Sequence, residues 1–124
     1  MKKVFENVRL AARRLIRRDE YREYIFKRFK FNLIVQLRAN EEICDQVLST
    51  FDSPDFEKTG ALTTLEECYL KSLKLLGYTR KEIREFAVYP VFTYKLKCVL
   101  LYENLKNINT RLKNTIAYLT ESEF

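Results

Sequence analysis

The sequence predicts an all-α fold: a compact single domain over residues 1–124, built from five or six helices, with a long C-terminal helix after Pro90. Three observations carry this expectation. Glycine and proline, which punctuate turns and break helices, number only two each in 124 residues, so connections must be few and short. Apolar residues recur at three- and four-residue steps through most of the chain. Hydrophobic residues are 47% and charged residues 32%, a balance that fits neither a disordered chain nor a membrane protein. A chain of this length can bury a core without disulfides or metals.

At about 100° per residue, Val4, Phe5, Val8, Ala11, Ala12, Leu15 and Ile16 fall within one arc of roughly 140°. Lys2, Lys3, Glu6, Arg9, Arg13, Arg14, Arg17 and Arg18 take the remainder, and Leu10 sits on the wrong side. This predicts an amphipathic first helix with an arginine stripe facing water. Asp19 is placed to cap a second helix, where an acidic group suits the dipole. Tyr21, Tyr24, Ile25 and Phe29 would form its buried face. Residues 31–37 are apolar nearly all round and read as a buried helix end, with a central strand as the alternative.

Asn40, followed by Glu41 and Glu42, reads as a third helix start, with Ile43, Val47, Leu48 and Phe51 on its apolar side. Asp52 to Gly60 is the clear loop. Thr64 with Glu67 has capping-box spacing and opens a helix toward Leu76, which Gly77 would end in the left-handed conformation. Thr79 with Glu82 forms a second capping box. Pro90 fits the first turn of the last helix. Phe92, Leu96, Val99, Leu105, Ile108, Leu112, Ile116 and Leu119 supply its apolar stripe. The six-residue step from Val99 to Leu105 predicts that this stripe shifts around the helix.

Composition narrows function as well. The chain has no histidine, which removes Ser-His and Cys-His nucleophile pairs and the commonest metal ligand. Cys44, Cys68 and Cys98 are odd in number and widely spaced, without a C-x-x-C pair. Each reads as a small buried hydrophobe, and free thiols suit a reducing compartment, the cytoplasm or the mitochondrial matrix. Glu41-Glu42 and Glu66-Glu67 are sequence neighbours whose side chains diverge on a helix, unlike the opposed carboxylates of a hydrolase. No nucleotide-binding pattern or metal-ligand spacing occurs, so no enzyme, cofactor or metal is expected. No apolar run approaches the roughly 20 residues that span a bilayer. Glu6, Arg9, Arg13 and Arg14 interrupt any apolar region of a secretory signal, whereas an Arg-rich amphipathic start also suits a mitochondrial presequence.

The net charge of +6 is unevenly spread. Residues 1–38 carry twelve Lys or Arg against four Asp or Glu, residues 39–68 one against eight, and residues 69–124 ten against five. The beginning and end are basic and the middle is acidic. Arginine offers a planar fork that grips carboxylate or phosphate through two bonds. Arg9, Arg13, Arg14, Arg17, Arg18 and Arg22, with Lys27 and Lys30, are therefore the candidate partner-binding residues. The expectation is a non-catalytic helical adaptor docking an acidic protein surface, as a component of a larger assembly. Sequence-independent RNA or DNA binding by the same face is the alternative, although the acidic middle weakens it. Membrane association is disfavoured, because the apolar side of the first helix is needed for the core.

The stretch "NVRLAARRL" at 7–15 followed by "RDEYREYIFKRF" at 18–29 resembles the opening helices of the LYR-motif mitochondrial adaptors. That resemblance implies a basic helical protein that binds acyl carrier protein and assembly partners. It covers under a third of the chain, and the Leu-Tyr-Arg tripeptide is absent, Asn7-Val8-Arg9 standing nearest. No functional residue is carried over from it.

Overall fold

A computed structural model describes the backbone of residues 2–86 and 93–122, and the side chains of residues 18–84 and 93–122. Its helices are α1 (Lys2–Thr50), α2 (Ala61–Leu75), α3 (Arg80–Phe86) and α4 (Tyr94–Glu121), with a 3-10 turn at Phe56–Thr59 between α1 and α2. The described residues contain no strand. The all-α class therefore holds, and the described residues form four α-helices rather than the five or six expected. The segments expected to start at Asp19 and Asn40 are both interior to α1. No proline occurs before Pro54 and no glycine before Gly60, so nothing interrupts the hydrogen-bond ladder of α1.

The chain divides into two compact units, Met1–Phe31 and Asn32–Phe124. The first is the early part of α1. The second is a bundle of the later turns of α1 with α2, α3 and α4. Asn40 bonds to Ser72 and Phe51 touches Phe56, so α1 and α2 run antiparallel. Lys95 lies over Phe51 while Lys113 pairs with Glu41, so α1 and α4 are antiparallel too. Tyr94 reaches Leu62 and Arg111 reaches Tyr78, which makes α2 and α4 parallel. A parallel pair cannot be joined by a tight turn. The helix α3 lies in the connection between them.

The buried stripe of α4 is Cys98, Leu101, Leu105, Ile108 and Leu112, a regular run of three- and four-residue steps. The expected six-residue step disappears, because Leu96 and Val99 are partly exposed and Cys98 and Leu101 take the inward positions. On α2 the inward residues include Ala61, Leu65, Cys68, Ser72 and Leu73; among the described side chains of α1 they are Leu33, Asn40, Ile43, Cys44 and Val47. Three facing stripes at this spacing give a bundle core by interlocking side chains. Residues 31–37 are not a uniformly buried end: Leu33 is inside, while Phe31 and Val35 are exposed.

The element ends show local chemistry at work. Gly77 has φ 92, and the amides of Gly77 and Tyr78 donate to the carbonyls of Lys74 and Leu73. This is the paired closure that a left-handed residue permits after a helix, as predicted. The Thr79 hydroxyl accepts from the Glu82 amide and the Glu82 carboxylate accepts from the Thr79 amide, each at 3.3 Å. That capping box also stands. The one expected at Thr64 and Glu67 does not. Gly60, with φ 70, precedes the first residue of α2 and brings no capping side chain; the Thr64 hydroxyl donates to the Gly60 carbonyl instead. The Tyr94 hydroxyl, from α4, accepts the Leu62 amide at 3.2 Å and supplies the missing cap. The final helix is capped by Thr93, whose hydroxyl accepts the Leu96 amide. Pro90 and Phe92 lie outside the described residues.

Candidate interaction surface

The first unit combines aromatic and basic side chains on one helix. Tyr21, Tyr24 and Phe31 are 64%, 57% and 63% exposed, and Ile25 is also exposed. This corrects the expectation that Tyr21, Tyr24 and Ile25 form a buried face; Phe29 and Phe26 are half-buried. The periodicity is real, but spacing reports only that residues share a face, not whether anything covers it. The helix α1 has 49 residues, whereas α4 has 28. Among the described residues no other helix matches α1 in length.

The basic residues fall into three groups. Arg18 and Arg22 are exposed. Lys27 is exposed but its ammonium lies 3.1 Å from the Glu23 carboxylate one turn earlier, and Lys30 is half-buried. Arg9, Arg13, Arg14 and Arg17 lie along α1, but their side chains are outside the described residues, as is the expected apolar arc from Val4 to Ile16. Arg28, which sequence reasoning left out of the site, is exposed and donates to the Tyr24 hydroxyl at 2.9 Å. Its signal was present: Tyr24 and Arg28 stand four apart, the spacing at which helical side chains meet. The bond holds a guanidinium beside an exposed aromatic ring and leaves its other donors available.

In the second unit, Glu41, Glu42 and Asp45 are exposed on α1. Glu41 lies 3.7 Å from the Lys113 ammonium. Leu48, expected on the buried side, is 65% exposed in their company. A further set of cations, including Arg80, Lys81, Lys106 and Arg111, is exposed on α3 and α4. There Arg111 and Lys106 sit over the rings of Tyr78 and Tyr102 at 5.3 Å, so part of that charge is engaged within the bundle.

The three thiols are buried and free. Burial, helped by the charge of Asp45, pushes the Cys44 thiol up to about 11. Burial, helped by Glu66, pushes Cys98 to about 11 as well, and Cys68 is raised by the same desolvation. Thiols held this way stay protonated near neutrality and are poor nucleophiles. Among the described residues no group of His, Cys, Asp or Glu is arranged to hold a metal ion, and no helix is long and apolar enough to cross a membrane. The chain matches no protein-family model, no curated protein and no solved structure, so the resemblance of residues 7–29 carries no argument here.

Proposed function

We propose that this chain is a non-catalytic helical docking module, a component of a larger assembly, which engages an acidic protein surface through the basic and aromatic face of early α1. The observation that carries the reading is the exposure of Tyr21, Tyr24 and Phe31 among Arg18, Arg22 and Arg28. Tyrosine, phenylalanine and arginine are the residues enriched where protein interfaces concentrate their energy. A monomer gains nothing by holding large rings in water, whereas a docking surface gains their burial on binding. Asp19, Glu20 and Glu23 are exposed on the same unit. That mixture of signs suits a partner with its own pattern of charge better than a uniform run of phosphates.

Nucleic acid is the second reading, favoured by one feature: exposed tyrosines beside arginines can stack on unpaired bases. The two readings separate in a titration of fluorescent polyglutamate and of a fluorescent single-stranded oligonucleotide, each followed by anisotropy. The proposal expects saturable binding of polyglutamate, lost in Arg18→Glu/Arg28→Glu and in Arg13→Glu/Arg17→Glu while the helical circular dichroism is retained. Binding of the oligonucleotide alone, with affinity falling linearly in log salt, would transfer the function to nucleic acid.

A further inference from the structure

We propose that the acidic stretch of α1 is a second docking surface, which takes a basic amphipathic helix of a partner protein. The inference goes beyond docking by early α1 and does not depend on it, since the surface lies wholly within the second unit. Six Asp or Glu fall between Arg38 and Lys58, and no Lys or Arg does. Glu41, Glu42 and Asp45 are exposed on the helix, and Asp52 is exposed just past its end. Leu48 stands among them and is 65% exposed, more than any other leucine, isoleucine or valine of the described residues. Glu41, Asp45, Leu48 and Asp52 follow one another at steps of four, three and four, the spacing of a seam on which a second helix lies. The other side of the same turns carries Ile43, Cys44 and Val47 into the core. The exposure of Leu48 shows that no described helix covers the seam.

Charge complementarity identifies the occupant. Of these carboxylates Glu41 has a cation beside it, Lys113 at 3.7 Å, and an exposed pair of that kind yields at little cost. Glu42, Asp45 and Asp52 pair with no cation among the described residues. Such a surface repels nucleic acid and acidic proteins alike. A small cation would have no use for Leu48. A helix that presents Lys or Arg around a few apolar side chains answers both features: its cations meet Glu42, Asp45 and Asp52, and an apolar side chain covers Leu48. Charge then sets the partner's sign, and burial of the leucine supplies the part of the contact that salt does not screen. Together with docking by early α1, the chain joins two partners of opposite charge.

The test adds a helical peptide of leucine and lysine, with its leucines on one side, to the full chain at about 150 mM salt. Backbone amide resonances locate the contact, and anisotropy of the fluorescent peptide gives its affinity. The amides of Glu42, Asp45, Leu48 and Asp52 are expected to shift saturably. Glu42→Gln/Asp45→Asn is expected to weaken binding at least about tenfold, and Leu48→Ser about fivefold, both with unchanged circular dichroism because these positions are exposed. Polylysine, which has no apolar side, is expected to bind about tenfold more weakly than the peptide. Amides that stay still along this seam overturn the proposal. So does polylysine that binds as tightly as the peptide while Leu48→Ser changes nothing, since the surface is then an acidic patch and no helix-docking seam. A wild-type chain that sediments as a dimer at about 100 μM, and as a monomer once Glu42→Gln/Asp45→Asn is made, gives the seam to a second copy and overturns it too. Polyglutamate is expected to bind both variants as it binds the wild type, so failure with the peptide leaves docking by early α1 to be judged on its own.

Discussion

Asn40 is fully buried in the bundle. Its amide donates to the Ser72 hydroxyl at 2.8 Å, its oxygen accepts from Gln36 at 2.9 Å, and the Ser72 hydroxyl donates to the Cys68 carbonyl at 2.7 Å. A polar residue before two glutamates looks like a helix cap in sequence. Here the same amide ties α1 to α2 at one register. Replacing Asn40 by alanine leaves Gln36 short of an acceptor and is expected to cost about 2 kcal/mol in urea denaturation. A loss below about 0.5 kcal/mol would mean that the network contributes no stability. Tyr94→Phe tests the borrowed cap of α2. It removes one hydroxyl and keeps the ring against Phe56, so a loss of about 1 kcal/mol is expected. The thiols set an alkaline limit. Their neutral forms are favoured in the folded chain, so this stability is complete below the ordinary value of 9.0 and is lost as pH rises toward about 11. The denaturation midpoint is expected to fall over that window, and to fall less in Cys44→Ala/Cys98→Ala.

At the scale of the element, α1 is where sequence and structure part company. Thr79 with Glu82, and Gly77, were legible because capping and left-handed closure are local chemistry written in two or three residues. The core stripes were legible in part: Leu105, Ile108 and Leu112 are buried, whereas Val99 gave way to Cys98 because two adjacent apolar residues leave the inward one undecided. The joins expected at Asp19 and Asn40 were misread because a polar residue both starts helices and decorates them. The exposure of Tyr21 and Tyr24 was not legible at all, because it depends on whether a partner helix is present. This makes a measurable claim about α1. The turns from Arg18 to Phe31 are held by local pairs such as Glu23–Lys27 and Tyr24–Arg28, each worth about 0.2–0.5 kcal/mol. Those from Leu33 to Val47 are held by the core. Hydrogen exchange in the monomeric chain is expected to be faster in residues 18–31 than in residues 33–47. Equal protection in the monomer would show that the early turns are packed after all.

For the whole molecule, the deciding feature is how charge and aromatic surface are shared between the units. The basic beginning and acidic middle are plain in the sequence, but their use is not. Nothing in a charge count says which carboxylates are answered internally. The Glu41–Lys113 pair answers one of them, and Glu42 and Asp45 remain exposed. The cations of α3 and α4 are the competing surface, since they too are exposed and lie among aromatic rings. The two surfaces are told apart by following backbone amide resonances while polyglutamate is added to the chain. The docking account predicts that the amides of Arg18, Tyr21, Tyr24 and Arg28 shift in a saturable, salt-sensitive way. Resonances that stay still there while those of Arg80, Lys81, Lys106 and Arg111 move would contradict it.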